Sequence, residues 1–356
     1  MLYLPFVKNK FGLNDAQIGM ALFCLALGTL ITIPVIPWIN KKLGVGRSTK
    51  YGILIFALLY NLPLWAPSYL LLCLSLLFVG MFSGFTDVSM NALVSTIEKE
   101  DKENFMSAAH GFFSLGGFIG ASIGSILMIN LNTPTHHMAL MALIIVITNL
   151  VLAHKYIGIK EVETEQSEET NSSFWKNLRP LLGLSLVAFI IMWNEGATEH
   201  WSNLFLHDII GVTESKAGLG FILFSLFMTI GRFLGDGISS RIGSKKIIVN
   251  GIGVAITGHL LILTSSLITS VAGFGLLGLG LSVIIPELFR IAGNTKGVSA
   301  SMGISIVSGI GFVGFLIGPV VLGFISNAFG LLISFVALLV TVVISLMLIF
   351  SMKTSK

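Results

Sequence analysis

The sequence predicts an all-α polytopic membrane protein of two pseudo-symmetric helix bundles, and three observations predict it. Of 356 residues, 54% are hydrophobic and only 11% charged, with a mean hydropathy of +0.92. Soluble domains carry about 25% charged residues, so the solvent for this surface is lipid. The charges are also segregated: no Asp, Glu, Lys or Arg occurs from Ile247 to Pro286 or from Gly297 to Met352. Finally, residues 211–243 match residues 12–44 without a gap.

Crossing a bilayer takes about 20 apolar residues per helix, and backbone facing lipid must bond internally. Short alternating strands, the mark of a barrel, are absent. Along the chain, the spans fall at 18–38, 51–66, 68–93, 105–130, 136–155, 178–205, 215–235, 246–265, 269–290, 298–325 and 331–352. Span 18–38 stops before Lys41, Lys42 and Arg47, and span 68–93 before Lys99 and Lys102. Each long charge-free run holds two spans, parted near Thr264–Ser270 and Ser326–Gly330. No cleavable signal peptide is expected at "MLYLPFVKNK". Cys24 and Cys73 lie inside spans and imply no disulfide framework.

Alternate loops divide the basic residues seventeen to three. The richer side is the cytoplasmic one by the positive-inside rule. The formal charge of +4 therefore reports topology and gives no reason to expect nucleic acid as a partner. The C-terminus and the acidic stretch "IKEVETEQSEETNSSFWKNLR" fall on that side. The stretch reads as a solvated linker over 156–177, between a bundle at 1–155 and a six-helix bundle at 178–356.

The repeat has an offset of 199, setting Gly211 on Gly12, Arg241 on Lys42 and Gly243 on Gly44. Later, "GFLIGP" (314–319) falls on "GASIGS" (120–125). Many secondary transporters are built from such repeats. By this offset Leu2 corresponds to Trp201, and nothing corresponds to 178–200. The chain is therefore expected to begin within its first helix, leaving the stub "LYLPFVKNK" and about eleven complete helices. A late start assignment or a truncated gene accounts for this better than an eleven-helix design.

"GRFLGDGISSRIGSKK" (231–246) resembles the loop signature of the major facilitator superfamily, through Arg232, Gly235, Asp236, Arg241, Gly243, Lys245 and Lys246. The whole chain is similar to its fucose-permease-like branch, in particular the YbjJ-type inner-membrane proteins. The stretches that carry this are "SGFTDVSMNALVSTIEK" (83–99), "MSAAHGFFSLGGFIGASIG" (106–124), "NEGATEHWSNLFL" (194–206) and "GLGLSVIIPELFRIAG" (278–293). The resemblance implies two bundles rocking about a central cavity. The first half departs from the signature, with Pro37 where the second has Asp236.

Polar residues inside spans are costly and usually face a cavity or a partner. Gly80, Gly84, Asp87 and Asn91 share one helix face. Packing accounts for the glycines, and a pathway or coupling role is expected for Asp87 and Asn91. His110 shares a face with Ser114 and Gly117, and histidine titrates near neutrality. It is expected to bind substrate, take a proton or tie helices. Glu195 and Glu199 stand one turn apart, Glu195 inside the bilayer and Glu199 at its wetted rim. A carboxyl alternately dry and wet can load and release a proton. Trp193 and Asn194 either stack on and bond a sugar-like ring, or face lipid and tie helices. His136 and His137 are expected to be solvated in an outer loop, and Glu287 to be an interface charge beside Arg290.

Arg232, Gly235, Asp236, Arg241 and Gly243 are the expected gate on the cytoplasmic side. "GFGLLG" (273–278) and "GIGFVG" (309–314) lie within apolar spans, where packing explains them better than a dinucleotide does. The spacings Gly116–Gly120–Gly124 and Gly314–Gly318 read as packing too. Pro286 and Pro319 are expected to kink their helices. No phosphate-binding lysine loop, nucleophile–base set or metal-ligand spacing occurs, so an enzyme, a metal and a cofactor are not expected. The reading is a monomeric inner-membrane secondary transporter of a small polar solute, proton-coupled, with a sugar-like substrate favoured. An exporter and a transport-inactive sensor are the alternatives.

Overall fold

The protein is described by a computed structural model over residues 7, 10–13, 15–130, 134–161 and 174–352. Its regular structure there is helical throughout, with no strand among the described residues. Helix α1 (Asp15–Thr32) passes through a 3-10 turn, Ile33–Val35, into α2 (Ile36–Leu43). Pro34 and Pro37 supply no backbone N–H, and the ladder changes type where they sit. Next come α3 (Val45–Leu59), α4 (Tyr69–Asp101), α5 (Met106–Asn130) and α6 (Pro134–Leu152). The later part holds α7 (Phe174–Leu204), α8 (Leu219–Ile242), α9 (Ser244–Ile262), α10 (Leu267–Ser282), α11 (Ile284–Gly293), α12 (Ala300–Phe329) and α13 (Leu331–Ser351).

Nine helical segments among the described residues are long and apolar enough to span a membrane. Two expected spans fall outside that set. The one at 51–66 is the shorter α3, followed by a single helical turn, Leu62–Trp65, with Pro63 near its start. The one at 105–130 is α5, 25 residues long. The span expected at 269–290 breaks at Val283, between α10 and α11. Pro286 has no N–H for the Ser282 carbonyl, so the ladder stops there. Most of the stub Leu2–Lys10 lies outside the described residues, as does most of the linker.

The repeat is visible in the backbone. Gly44 (φ 85°, ψ 146°) parts α2 from α3, and Gly243 (φ 86°, ψ 153°) parts α8 from α9. A side chain would strain either turn, so glycine recurs at the offset of 199. The described residues form two compact units. One draws on Met1–Ile97, Leu115–Ser167 and Ser299–Ser305, the other on Glu98–Ser114, Glu168–Val298 and Ile306–Lys356.

In the first unit, α4 lies against α1 through Gly80 and Gly84, whose absent Cβ atoms leave room for Leu25 and Thr29. Thr29 Oγ1 donates to the Gly80 carbonyl at 3.0 Å. In the second unit, Phe205, Phe274 and Phe335 form a buried aromatic cluster, with centroids 4.5–6.2 Å apart. Glycines bring α9 and α10 close: a Cβ on Gly258 would lie 2.6 Å from Leu277 N, and one on Gly280 2.5 Å from Ala255 N. Gly273 and Gly278 of "GFGLLG" make equally close approaches, so that segment is packing surface. Gly314 and Gly318 likewise meet α7 at Phe189 and Trp193. At Gly116 and Gly120 no described neighbour lies within 4 Å of a Cβ, and the surroundings of Gly124 lie outside the described residues. The side chains facing outward, such as Phe113, Ile147, Phe324 and Met347, are apolar, as lipid contact requires.

Candidate functional site

In the second unit, α7 carries Trp193, Asn194 and Glu195 on successive faces, with Glu199 on the face of Glu195. Arg232 of α8 reaches Glu195, with Nη2 3.3 Å from Oε1 and side chains 11% and 15% exposed. Its Nη1 donates to Ser114 Oγ on α5, and that hydroxyl donates to the His110 carbonyl at 3.2 Å. A buried guanidinium thus joins three helices and is balanced by one carboxylate. Arg232 Nε has no hydrogen-bond partner. The His110 ring lies 5.7 Å from that of Phe289, and its Nε2 is buried without a partner. Arg232 was grouped with the gate by the loop signature. The structure instead places it with Glu195, because Arg232 lies one helical turn from Asp236 and points to α7. Glu199, one turn beyond Glu195, is half-buried.

Asn194 is fully buried and engaged on both sides. Its Nδ2 donates to the Ile190 carbonyl at 2.9 Å and to Thr341 Oγ1 at 3.0 Å. That leaves Oδ1 facing His259 Nε2 at 3.1 Å, so the nitrogen carries the proton. Asn194 therefore ties α7 to α9 and α13. Trp193 stands edge-on to Phe189 at 5.7 Å, and its indole N–H is buried without a partner. In the first unit, Asn91 is buried and donates to the Asp87 carbonyl (2.9 Å) and carboxylate (3.2 Å). The histidines read as solvated differ: His136 is exposed, but His137 is buried in the first turns of α6.

A second group of charges gathers at the basic end of α8. Asp236 Oδ1 accepts from Ser107 N at 3.0 Å, and Oδ2 from Ala108 N at 2.6 Å. Glu98 Oε1 accepts from Phe105 N and Met106 N, each at 2.7 Å. Two carboxylates thus satisfy all four amides that open α5, where the helix dipole also favours negative charge. Arg290 bridges them: Nη2 lies 2.8 Å from Glu98 Oε1 and 2.6 Å from Asp236 Oδ1, and Nε 3.0 Å from Glu98 Oε2. Its Nη1 bonds Ser239 Oγ at 3.2 Å and also Glu287.

Glu287 is not an interface charge: it is 0% exposed, because α11 turns it inward toward Arg290. Gly235 lets α5 approach, since a Cβ there would lie 2.8 Å from Ser107 Oγ. Gly243 forms the turn after α8, and Arg241 is exposed. The sequence reasoning missed Glu98 and His259. Glu98 sits in "IEKED", which reads as a solvated run, and only its place eight residues before the start of α5 hints at a cap.

Apolar helices, repeated loops and charges buried among the helices define a polytopic membrane protein of the transporter class. A family model described as the Major Facilitator Superfamily matches residues 1–258 and 184–356. The chain belongs to this superfamily, and is a transmembrane transporter of a small molecule, not an enzyme. It is 30% identical over 344 residues to an uncharacterised transporter of this type from Yersinia pestis, covering 96% of this chain and 88% of the relative. It is 26% identical to a glucose/galactose transporter of Brucella abortus, covering 94% and 85%. The fold is similar to that of the E. coli fucose:proton symporter FucP, with a TM-score of 0.81 at 18% identity over 99% of this chain and 94% of that one. The human organic anion transporter MFSD10 gives 0.70 at 15% identity, over 97% and 88%.

Proposed function

We propose that this chain is a proton-coupled uptake carrier for a sugar-like solute, of the YbjJ-like kind, working as a monomer in the inner membrane by alternating access. The observation that carries this reading is the buried Glu195–Arg232 pair, held by Ser114. Adding a proton to Glu195 removes the counter-charge of Arg232. The guanidinium then needs new acceptors, and the hydroxyls of a sugar supply them. Trp193 adds an apolar ring face and an unpartnered N–H donor nearby in the chain. Asp87, beside Asn91, is a second proton group in the first unit. The likeness to a glucose/galactose transporter and to a fucose:proton symporter supports the solute class and the coupling ion.

The cluster of Asp236, Glu98, Glu287 and Arg290 acts as a gate on the cytoplasmic side, the side to which the lysines and arginines assign it. The test is uptake of radiolabelled hexoses into proteoliposomes with and without an inward pH gradient. Uptake should rise with the gradient, and Glu195→Gln should abolish the rise while keeping exchange of solute across the membrane. Uptake indifferent to the gradient, and unchanged in Glu195→Gln and Asp87→Asn, overturns the proton reading.

A further inference from the structure

The first-half loop lacks the acid that its repeat carries, since Pro37 stands where the offset of 199 places Asp236. In the second unit Asp236 holds the amide of Ser107 at the start of α5. The stretches "GASIGS" and "GFLIGP" set α12 on α5 at an offset of 194, which makes Ser301 the counterpart of Ser107. In the first unit the Ser301 amide is also held by a carboxylate: Ser301 N donates to Glu161 Oε1 at 3.0 Å, and Ser301 Oγ donates to the same oxygen. The two amides occupy equivalent places in the repeat. Their acids come from different parts of the chain.

The chain delivers Glu161 from the segment that follows α6. After α6 and a 3-10 turn, Ala153–Lys155, the Ile159 carbonyl accepts from Gly46 N at 3.0 Å. A Cβ on Gly44 would lie 3.0 Å from Lys160 Cγ and 3.4 Å from the Ile159 carbonyl, and one on Gly46 would overlap the Tyr156 carbonyl. Beside Gly243, the counterpart of Gly44, no described atom lies within 4 Å of a Cβ. Residues 156–161 therefore pack against the first loop at Gly44 and Gly46. Further bonds among the described residues run between neutral groups. Asn40 Nδ2 donates to Ser301 Oγ at 2.9 Å, Ser89 Oγ to Asn40 Oδ1 at 2.9 Å, and Ser305 Oγ to the Ile33 carbonyl at 2.9 Å.

We infer that Glu161 is the missing gate acid of the first half, supplied from the root of the central linker instead of from the loop. It is a positioning residue: it holds the N-terminus of α12 against the first unit in the closed state. The linker is then part of the gate, and an event that draws Ile159–Glu161 off Gly44 and Gly46 releases α12. This rests on the gated-carrier reading above, but its test uses neither substrate nor gradient. A failure of proton coupling therefore leaves it standing.

The test is single-cysteine labelling of the full chain in inside-out vesicles. Cys24→Ser and Cys73→Ser remove the native thiols, and Ser95→Cys places a buried reporter on α4 of the same unit. Glu161→Gln should raise the rate of reaction with a membrane-impermeant maleimide about tenfold, the size of one charge-assisted hydrogen bond. Adding Pro37→Asp to Glu161→Gln should return the rate toward that of the parent, because it restores the acid at the position Asp236 holds in the repeat. An unchanged rate in Glu161→Gln overturns the inference by itself. So does a raised rate that Pro37→Asp leaves as it is. A lower unfolding temperature without faster labelling marks a mere helix cap and also overturns it.

Discussion

Asn194 and Glu195 are adjacent residues with opposite kinds of work. The Asn194 amide is committed on both sides, to Thr341 and to His259, in a fully buried place. Among the described residues Glu195 has one partner, Arg232, at the long distance of 3.3 Å. Asn194→Ala would leave His259 Nε2 and Thr341 Oγ1 without that partner, at about 1–3 kcal/mol for each buried group. The purified variant should unfold at a clearly lower temperature in detergent, and an unchanged temperature would show that the amide ties nothing. Trp193→Phe removes an N–H that has no partner among the described residues, so no hydrogen bond is lost and its stability should fall by less than that of Asn194→Ala. Its apparent KM for the solute should rise. At this scale the sequence was half legible. "WNEG" announced polar groups in a span, but not which was a tie and which was held loosely. That difference depends on Thr341 and His259, far along the chain, and no local spacing reports it. Glu98 and Glu287 were hidden for the same reason, since Arg290 and the start of α5 bury them.

Helices in lipid gain little from hydrophobic burial against one another, so close backbone approach carries much of their packing. The α9–α10 pair shows this. A Cβ on Gly280 would sit 2.5 Å from Ala255 N and the Gly251 carbonyl, both backbone atoms that cannot swing aside. Gly253, on the same α9, has no described neighbour within 4 Å of a Cβ. Gly280→Ala should therefore push the helices apart and lower the unfolding temperature. Gly253→Ala should leave it unchanged or raise it slightly, since alanine favours a helix over glycine by about 0.5–1 kcal/mol. Equal losses from both would mean that the contact distances do not govern packing here. Elements were the most legible level, because apolar length and the charged loops mark spans directly. The break at Val283 was less so: Pro286 announced a disturbance, but the ladder ends a turn earlier, where its lost N–H would have bonded.

Across the whole chain, the repeat makes two latches of unequal chemistry. The one in the second unit sets Arg290 among three carboxylates, Glu98, Asp236 and Glu287, with the amides of α5 sharing the surplus negative charge. The one in the first unit has Glu161, Asn40 and three serines around the start of α12 in its described bonds. Charge raises what a single substitution costs. Asp236→Asn keeps one oxygen for an amide of α5 but turns an NH2 group toward the other amide or toward Arg290. Glu161→Gln keeps a single oxygen that can serve both of its bonds, whereas Asp236→Asn loses one of two acceptors outright. With Ser185→Cys as a buried reporter on α7 of the second unit, Asp236→Asn should speed maleimide labelling from the basic side by more than tenfold, and by more than Glu161→Gln speeds it at Ser95→Cys. Arg290→Ala is the harsher change, since it strands three buried carboxylates. Breaking such a set costs about 3–5 kcal/mol, so that variant should accumulate poorly in the membrane. Glu98→Gln combined with Arg290→Ala removes one of the stranded charges and should recover part of the yield. If Asp236→Asn left labelling as it was, the charges would be serving only to anchor helix ends, and the first unit would need no surrogate acid to match them.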